Sequence, residues 1–211
     1  MQNDKTDLLE DVASYYSRKL AEHGTTPLGV DWNGVPGQHL RFEQLIKLLP
    51  EKQPYTLNDL GCGYGALLGY LLETNPPASY LGVDVSDEMI VAARQSYRGQ
   101  LTARFITADR PDSVADFGVA SGIFNVRMGR CDLQWFDYLK NTLDILDSTS
   151  RLGFAFNCLT TYSDADKMRS DLYYADPCKL FDVCKRNYST QVALLHDYGL
   201  YEFTLLVRKV Q

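Results

Sequence analysis

The stretch Asn58-Asp59-Leu60-Gly61-Cys62-Gly63-Tyr64-Gly65-Ala66 has three glycines at alternate positions between an apolar run and a helical pattern. Gly61 permits a tight turn at the end of a strand, Gly63 lets a ligand approach the backbone because no Cβ intervenes, and Gly65 allows the next helix to pack closely. The first amides of that helix have no partners within it, so they favour an anionic group. The stretch therefore predicts a strand, a ligand-binding loop and a helix.

Two acidic residues follow the next two predicted strands. Asp84 ends the second strand, where a carboxylate can accept hydrogen bonds from both hydroxyls of a ribose. Asp109 lies just past the third strand. Open α/β sheets bind ligands in the crevice outside the carboxyl ends of their strands. Both carboxylates are therefore expected to face the same crevice as the glycine loop.

Short β-rich runs alternate with helical patterns from residue 55 onwards, which predicts βαβ units and a mostly parallel sheet. The tail differs, because two apolar runs are joined by a link too short for a helical crossover, and this predicts an antiparallel hairpin. The predicted strands are Thr56–Leu60, Tyr80–Val85, Ala103–Thr107, Phe117–Asn125, Leu152–Leu159, Gln191–His196 and Glu202–Lys209. The predicted helices are Ala66–Glu73, Asp87–Tyr97, Leu133–Asp147 and Pro177–Arg186.

Two more helices are predicted before the first strand. Residues 4–23 place apolar side chains at spacings of three and four, and Gly24 ends that helix. A glycine- and proline-rich loop around Trp32 separates it from a second helix, Gln38–Leu49, which Pro50 closes. We expect residues 1–50 to form a helical cap on the same domain as the core at residues 51–211.

The composition is typical of one globular domain, with 45% hydrophobic and 23% charged residues in 211. Twenty-one Lys and Arg against 27 Asp and Glu give a formal net charge of -6, which argues against a nucleic-acid partner. Without a secretory signal or a long apolar segment, we expect a cytoplasmic protein that is not bound to a membrane. The five cysteines show no metal-ligand spacing, so we expect reduced thiols and no metal site.

The order of these motifs resembles the class I S-adenosylmethionine-dependent methyltransferases. The resemblance rests on DLGCGYG at 59–65, GVDVS at 82–86, TAD at 107–109 and ASGIFN at 120–125, and it is looser towards residue 211. It implies a Rossmann-like α/β fold with a seven-stranded sheet whose last strand is inserted antiparallel beside the fifth. It also implies methyl transfer from S-adenosylmethionine to a small-molecule acceptor, with S-adenosylhomocysteine as the product.

The same resemblance implies a set of cofactor-binding residues. Asp59 and the glycine loop would bound the methionine half of the cofactor, Asp84 would hold the ribose, and Met89 with Asp109 would frame the adenine. The whole implied set is Asp59, Gly61, Cys62, Gly63, Gly65, Asp84, Val85, Met89, Asp109, Ser121 and Gly122. The chain lacks the Asn/Asp-Pro-Pro-Tyr motif at 122–125, which weakens the case for the base-amine and glutamine methyltransferase subclasses.

Two other functions stay open on the residues alone. Gly61, Gly63 and Ala66 also satisfy the nicotinamide fingerprint, with Asp84 as its ribose acid, so an NAD(P)-dependent oxidoreductase is one alternative. A non-catalytic module that binds S-adenosylmethionine is the other. Asp109, the two preceding helices and the terminal hairpin favour the methyltransferase.

The acceptor is expected at the carboxyl edge of the sheet or under the cap. His196 and Tyr198 follow a sixth strand that we infer to be parallel, and His39 lies in the second helix, so these three are our catalytic candidates. Aromatic side chains could close over or wall an acceptor pocket. The substrate candidates are Asn125, Trp32, Tyr173 and Tyr174. We expect a monomer or a weak homodimer.

Overall fold

The computed structural model describes residues 2–210, with side chains from residue 7 to residue 210. One sheet of seven strands runs through the molecule in the order β3-β2-β1-β4-β5-β7-β6. Its strands are β1 (Thr56–Leu60), β2 (Ser79–Asp84), β3 (Ala103–Thr107), β4 (Ala115–Ala120), β5 (Ser150–Leu159), β6 (Gln191–Leu195) and β7 (Glu202–Arg208).

Six α-helices connect or cover these strands. They are α1 (Gln2–His23), α2 (Val35–Ile46), α3 (Ala66–Thr74), α4 (Asp87–Ser96), α5 (Asp132–Ser148) and α6 (Pro177–Asn187). Short 3-10 helices lie at Pro27–Val30 and Ala165–Lys167. Within residues 2–210, no helix is both long and apolar enough to cross a bilayer.

Strands β1 to β5 are parallel, whereas β7 pairs antiparallel with both β5 and β6. The predicted α/β fold with a mostly parallel seven-stranded sheet and an antiparallel C-terminal hairpin is therefore confirmed. The sequence order reverses between β1 and β4, because β2 and β3 lie on one side and β5 on the other. Open α/β sheets bind ligands at such a reversal.

Both faces of the sheet are covered, which is why its strands are apolar on both sides. Neighbouring residues of one strand alternate between the two core clusters, as a strand's twofold side-chain period requires. Ala155 packs in the cluster under α2 and α3, while Phe154 and Phe156 pack in the cluster under α5 and α6. The sheet is therefore held from both sides, and its carboxyl edge is fixed in space.

The two N-terminal helices are attached to the core in different ways. Helix α2 buries Phe42 and Leu45 in the first cluster. Helix α1 is joined to the start of α4 by polar contacts, because Ser17 Oγ lies 3.0 Å from Ser86 Oγ and donates to Glu88 Oε2 at 2.7 Å. In the cap, α2 is therefore held by apolar packing, whereas α1 is attached to α4 largely by polar contacts.

Two elements, β4 and α2, depart from a predicted bound by three residues or more. Strand β4 ends at Ala120, and the predicted continuation to Asn125 is a turn that begins with Gly122 at φ +77°. Helix α2 begins at Val35, three residues earlier than predicted, because Pro36 occupies its first turn, where no amide hydrogen is needed.

Candidate functional site

A cavity of about 900 Å³, including its open mouth, lies at the carboxyl ends of β1, β2 and β4. We call it the first cavity. It is lined by most of the implied cofactor residues, together with side chains from α1 and α5. The implied residues in its wall are Gly61, Gly63, Asp84, Val85, Met89, Asp109, Ser121 and Gly122. The reversal point of the sheet therefore opens into a pocket, as the fold requires.

The glycine loop owes its shape to left-handed backbone at Gly61, Gly63 and Gly65. The amide of Gly61 donates to Val83 O at 2.7 Å, which ties the loop to β2. A Cβ at Gly61 would collide with the side chain of Ile123, and one at Gly63 would lie 3.1 Å from Val30 Cγ1. The loop can therefore follow this path only with glycine at its close contacts.

The structure gives Gly65 a packing role at the start of α3. It is the N-cap of α3 and lies outside the cavity walls, and a Cβ there would stand 2.7 Å from Tyr97 Cε2. The structure thus confirms that Gly65 allows close packing at the start of the helix, as the sequence analysis expected.

Asp84 holds the loop and the next helix together. Its Oδ2 accepts from Gly63 N at 2.9 Å, and its Oδ1 accepts from Ser86 N at 2.9 Å. Burial raises the pKa of Asp84, although these amide bonds oppose the shift. A carboxylate has about four acceptor positions, so Asp84 keeps capacity for a diol in the cavity.

Asp59 lies beneath the loop, in the wall of a smaller third cavity of about 340 Å³ that Cys62 also lines. Tyr80 donates its hydroxyl to Asp59 Oδ2 at 2.5 Å. Burial raises the pKa of Asp59 to about 7, and the nearby charge of Asp84 adds to the shift. Burial likewise raises the pKa of the Cys62 thiol, which keeps it protonated and unreactive.

A second cavity of about 1240 Å³ adjoins the first. Three of the four substrate candidates, Trp32, Asn125 and Tyr174, lie in its wall. Tyr173 does not, because it packs against the core cluster under α5 and α6, and burial raises its pKa to about 12. Trp32 and Gly122 contribute to both cavities, so the two spaces share a wall at these residues.

None of the three catalytic candidates is among the residues that line the three cavities. His196 contacts the rings of Tyr162 and Phe203, while Tyr198 shares a hydrogen bond of 3.1 Å with Thr204. Strand β6 does run in the direction of β5, as inferred, but it is the edge strand beyond β7. Its end is therefore remote from the reversal between β1 and β4.

The His39 ring packs against other aromatic rings and lines none of the three cavities. Its ring centroid lies 5.0 Å from that of Tyr70 and 6.4 Å from that of Phe42. This face of α2 is directed towards α3, so a role for His39 at the reacting atoms has no support in the geometry.

The sequence analysis missed the contribution of α1. Leu9, Val12 and Tyr16 line the first cavity, and Tyr16 lines the second as well. Burial raises the pKa of Tyr16, so its phenol stays protonated. The signal was present, because these residues belong to the apolar stripe that predicted the helix, but a stripe does not say whether it faces a core or a cavity.

The other missed residues belong to distant elements. Tyr138 of α5 lines the first cavity, and burial raises its pKa to about 12. Arg41 and Glu202 line the second cavity, where they form a bidentate ion pair. No local pattern could join positions 41 and 202, because the pairing depends on where α2 crosses the sheet.

The first cavity suits an adenosyl sulfonium cofactor. Ser121 Oγ is buried in its wall and has no hydrogen-bond partner among the described residues, so a ligand group there would satisfy it. Gly63 leaves a space that a Cβ would narrow, and Asp84 contributes a carboxylate to the same wall. Met89, Val83 and Ile123 supply an apolar lining for a planar base.

The sheet order separates this fold from that of dinucleotide enzymes. A dinucleotide-binding sheet has the strand order 3-2-1-4-5-6 and is mostly parallel. Here an antiparallel β7 is inserted between β5 and β6. The second half therefore lacks the arrangement that binds the other mononucleotide, and the nicotinamide alternative loses its structural basis.

The chain is similar to known methyltransferases. The family model described as "Methyltransferase domain" matches residues 58–150. The chain is 58% identical over 164 residues to the "Putative methyltransferase Rv1506c" of Mycobacterium tuberculosis (strain ATCC 25618 / H37Rv), an alignment that covers 78% of this chain and 99% of that protein.

Solved structures share the fold at low sequence identity. The N-methyltransferase NodS from Bradyrhizobium japonicum WM9, in complex with S-adenosylhomocysteine, matches with a TM-score of 0.68 and 15% identity over 95% of this chain and 100% of that chain. The DhpI-SAM-HEP complex matches with a TM-score of 0.68 and 16% identity, and the match covers 96% of this chain and 98% of that chain. The identity to the mycobacterial relative, the glycine loop and the sheet order together show that the chain belongs to the class I S-adenosylmethionine-dependent methyltransferases.

Proposed function

We propose that this methyltransferase binds S-adenosylmethionine in the first cavity and transfers its methyl group to a small-molecule acceptor in the second. The observation that carries the proposal is the shared wall of the two cavities at Trp32 and Gly122. Methyl transfer is an in-line displacement, so donor and acceptor must meet from opposite sides of one point. Two cavities that share a wall at the reversal point of the sheet supply that geometry.

The bound cofactor supplies an already activated methyl group, and the chain's own task is to bind and orient. Asp84 would accept hydrogen bonds from the ribose hydroxyls while it keeps its bonds to Gly63 and Ser86. Ser121 would donate to a polar group of the cofactor, because its hydroxyl lacks a protein partner among the described residues. Asp59 and Gly63 would bound the methionine half.

The second cavity suits a small polar acceptor. Asp31 lies in its wall, where Tyr15 donates to Oδ2 at 2.9 Å and Lys19 lies 2.8 Å from Oδ1. A carboxylate held in this way can accept a hydrogen bond from a hydroxyl or amine acceptor and orient it. Trp32 and Tyr174 add flat apolar surface for the rest of the molecule.

The comparisons support the cofactor more directly than the acceptor. The NodS structure holds S-adenosylhomocysteine, and the DhpI structure is described as a complex with SAM and HEP. Both share the fold, and both bind the cofactor class that the first cavity suits. NodS is named an N-methyltransferase, which agrees with an amine as one acceptor to test.

Calorimetry tests the cofactor, and transfer of label tests the reaction. We expect saturable binding of S-adenosylhomocysteine and none of NAD⁺. Incubation with methyl-labelled S-adenosylmethionine and a panel of small hydroxyl, amine and carboxylate compounds should label at least one of them. Binding of the cofactor without transfer to any member of a broad panel would instead support a non-catalytic module.

A further inference from the structure

Five residues form a closed ring of contacts between the cap and the sheet, which we call the Trp32–Gly122 ring. Gly122 N donates to Asn157 Oδ1 at 2.8 Å, and Asn157 Nδ2 donates to Glu202 Oε2 at 2.8 Å. Arg41 donates to both oxygens of Glu202, from Nε at 2.9 Å and from Nη2 at 2.7 Å. The Arg41 guanidinium lies 3.9 Å from the ring centroid of Trp32. Trp32 closes the ring by packing against Gly122, where a Cβ would overlap its indole.

Each hydrogen bond of this ring has only one possible assignment of donor and acceptor. Gly122 N can only donate, so the amide oxygen of Asn157 must face it, and the amide nitrogen must then face Glu202. The carboxylate of Glu202 receives three N–H groups, one from Asn157 and two from Arg41. The hydrogen bonds therefore define the position of the peptide at Gly122 relative to Arg41.

Burying the charged and polar groups of this ring costs solvation free energy. The side chain of Glu202 is 0% exposed and that of Arg41 is 13% exposed, and Asn157 is fully buried. Buried ion pairs often stabilise a fold no better than apolar side chains of the same volume. What such a pair adds is a fixed geometry, because fork-to-fork hydrogen bonds are directional.

The ring encloses the wall between the two cavities. Trp32 lines the first, second and third cavities, and Gly122 lines the first and second. Asn157 lines none of them, and Glu202 lines only the second. A change at Asn157 or Glu202 would therefore reach the first cavity only through Gly122 or Trp32.

We infer that Asn157 and Glu202 are positioning residues for methyl transfer, which hold Trp32 and the Gly122 peptide at the point where the two cavities meet. The inference rests on the proposed function, because it takes that point as the site of transfer. Arg41 is the link to the cap, since its guanidinium both binds Glu202 and stacks on Trp32.

The main test is Glu202→Gln in the full chain. A glutamine offers one acceptor oxygen in place of two, so at least one of the three donors loses its partner and the ring opens. We expect the dissociation constant for S-adenosylhomocysteine to rise about fivefold, the effect of a displaced wall that has lost one hydrogen bond. We also expect acrylamide to quench the fluorescence of Trp32 more strongly than in the unchanged protein. Trp32→Phe separates this signal from that of the buried Trp135.

Three further variants separate positioning from a general loss of stability. Asp112→Asn is the matched control, because Asp112 forms a bidentate pair with Arg104 on the exposed surface, outside all three cavities. Leu146→Val removes one buried methylene from α5 and lowers stability without touching the ring. Both should bind S-adenosylhomocysteine like the unchanged protein and leave Trp32 quenching unaltered. Glu202→Asp keeps two acceptor oxygens and should recover part of the affinity.

Unchanged affinity and unchanged Trp32 quenching in a folded Glu202→Gln variant would overturn the inference. If circular dichroism shows that this variant does not fold, Arg41→Lys decides, since a lysine keeps the charge but loses the fork and the flat stacking surface. Normal quenching and affinity in Arg41→Lys would then overturn it. Failure of the unchanged protein to bind S-adenosylhomocysteine would refute the proposed function instead, and the quenching measurements would still decide whether the ring fixes Trp32.

Discussion

At the scale of single residues, the cofactor loop is held in shape by positions where only glycine fits. Gly61 has φ +76°, and a Cβ there would collide with Ile123. Gly199, in the β6–β7 loop, has a similar φ of +71° but nothing within 4 Å of its virtual Cβ. Comparing substitutions at Gly61 and Gly199 therefore separates the free-energy cost of a left-handed backbone from that of the steric collision with Ile123.

Gly61→Ala should therefore destabilise the protein more than Gly199→Ala does. Both changes carry the left-handed penalty of about 1 kcal/mol. Gly61→Ala adds an overpacking penalty of about 1–3 kcal/mol. Urea denaturation measures both free energies of unfolding. Adding Ile123→Ala to Gly61→Ala should recover part of the extra loss, and equal destabilisation by the two single changes would show that the loop can move aside.

Asp59 should give the free energy of unfolding a pH dependence. Its pKa is raised by burial from 3.8 to about 7, so between these values the folded state binds a proton that the unfolded state releases. Stability is thus lost as the pH rises through this window, by at most about 4 kcal/mol. Asp59→Asn removes the effect, so the variant should gain stability relative to the unchanged protein between about pH 5 and about pH 8. Urea denaturation at the two pH values measures the change.

Asp112→Asn is the control for this pH experiment. The pKa of Asp112 is lowered to about 2 by its hydrogen bonds with Arg104, so its stabilising charge is lost only as the pH falls below about 4. Its effect should be the same at both pH values. If Asp59→Asn also has the same effect at both, Asp59 is already ionised in the folded protein.

At this scale, the sequence correctly brought Asp84 next to the glycine loop, although the two belong to separate motifs. The glycine loop and Asp84 are joined by a hydrogen bond to Gly63, and motif spacing alone brings them together. The catalytic candidates were chosen by chemical type and by the direction of a strand. That reasoning could not place His196, because its distance from the crevice depends on the position of β6 in the sheet.

At the scale of elements, strands were predicted better than the segments that follow them. β1 and β3 have the predicted bounds, because short apolar runs between turn residues mark them clearly. The predicted fourth strand ran on to Asn125, since 120–125 is apolar enough for a strand. In the structure this segment turns at Gly122 and forms part of the cavity wall, and Phe124 is buried there without strand pairing. Hydrophobicity records burial, and a buried turn cannot be distinguished from a strand by that property alone.

Helix α1 should become more ordered when the cofactor binds. It covers the first cavity with Leu9, Val12 and Tyr16, and Ser17 joins it to α4 by exposed or half-buried polar contacts. A ligand that fills the cavity gives this face new packing partners, which lowers the population of locally open states. Hydrogen exchange followed by mass spectrometry should show slower exchange in α1 with S-adenosylhomocysteine. Helix α6 lines none of the three cavities and serves as the internal control. Equal protection of α1 and α6 would mean that α1 does not contact the ligand.

At the scale of the whole molecule, the antiparallel pairing of the last two strands is what the sequence predicted most securely. The six-residue link between β6 and β7 excludes a crossover, so an antiparallel pair was the only arrangement available. The insertion of β7 beside β5 came from the family resemblance, since no local pattern specifies which strand a hairpin joins. In the observed order the first cavity lies at the reversal between β1 and β4, and β6 is the strand at the far edge of the sheet.

A single cofactor site predicts how the melting temperature responds to ligands. A ligand at 100 times its dissociation constant stabilises the folded state by about 2.7 kcal/mol. For a domain of this size that corresponds to a rise of about 5 to 10 °C. S-adenosylhomocysteine should produce this shift in differential scanning calorimetry, whereas NAD⁺ at the same concentration should produce none, because the antiparallel β7 removes the second mononucleotide half. Asp84→Asn should show a smaller shift at the same ligand concentration, since the ribose loses a charged acceptor. A larger shift with NAD⁺ than with S-adenosylhomocysteine would mean that the crevice between β1 and β4 recognises a pyrophosphate.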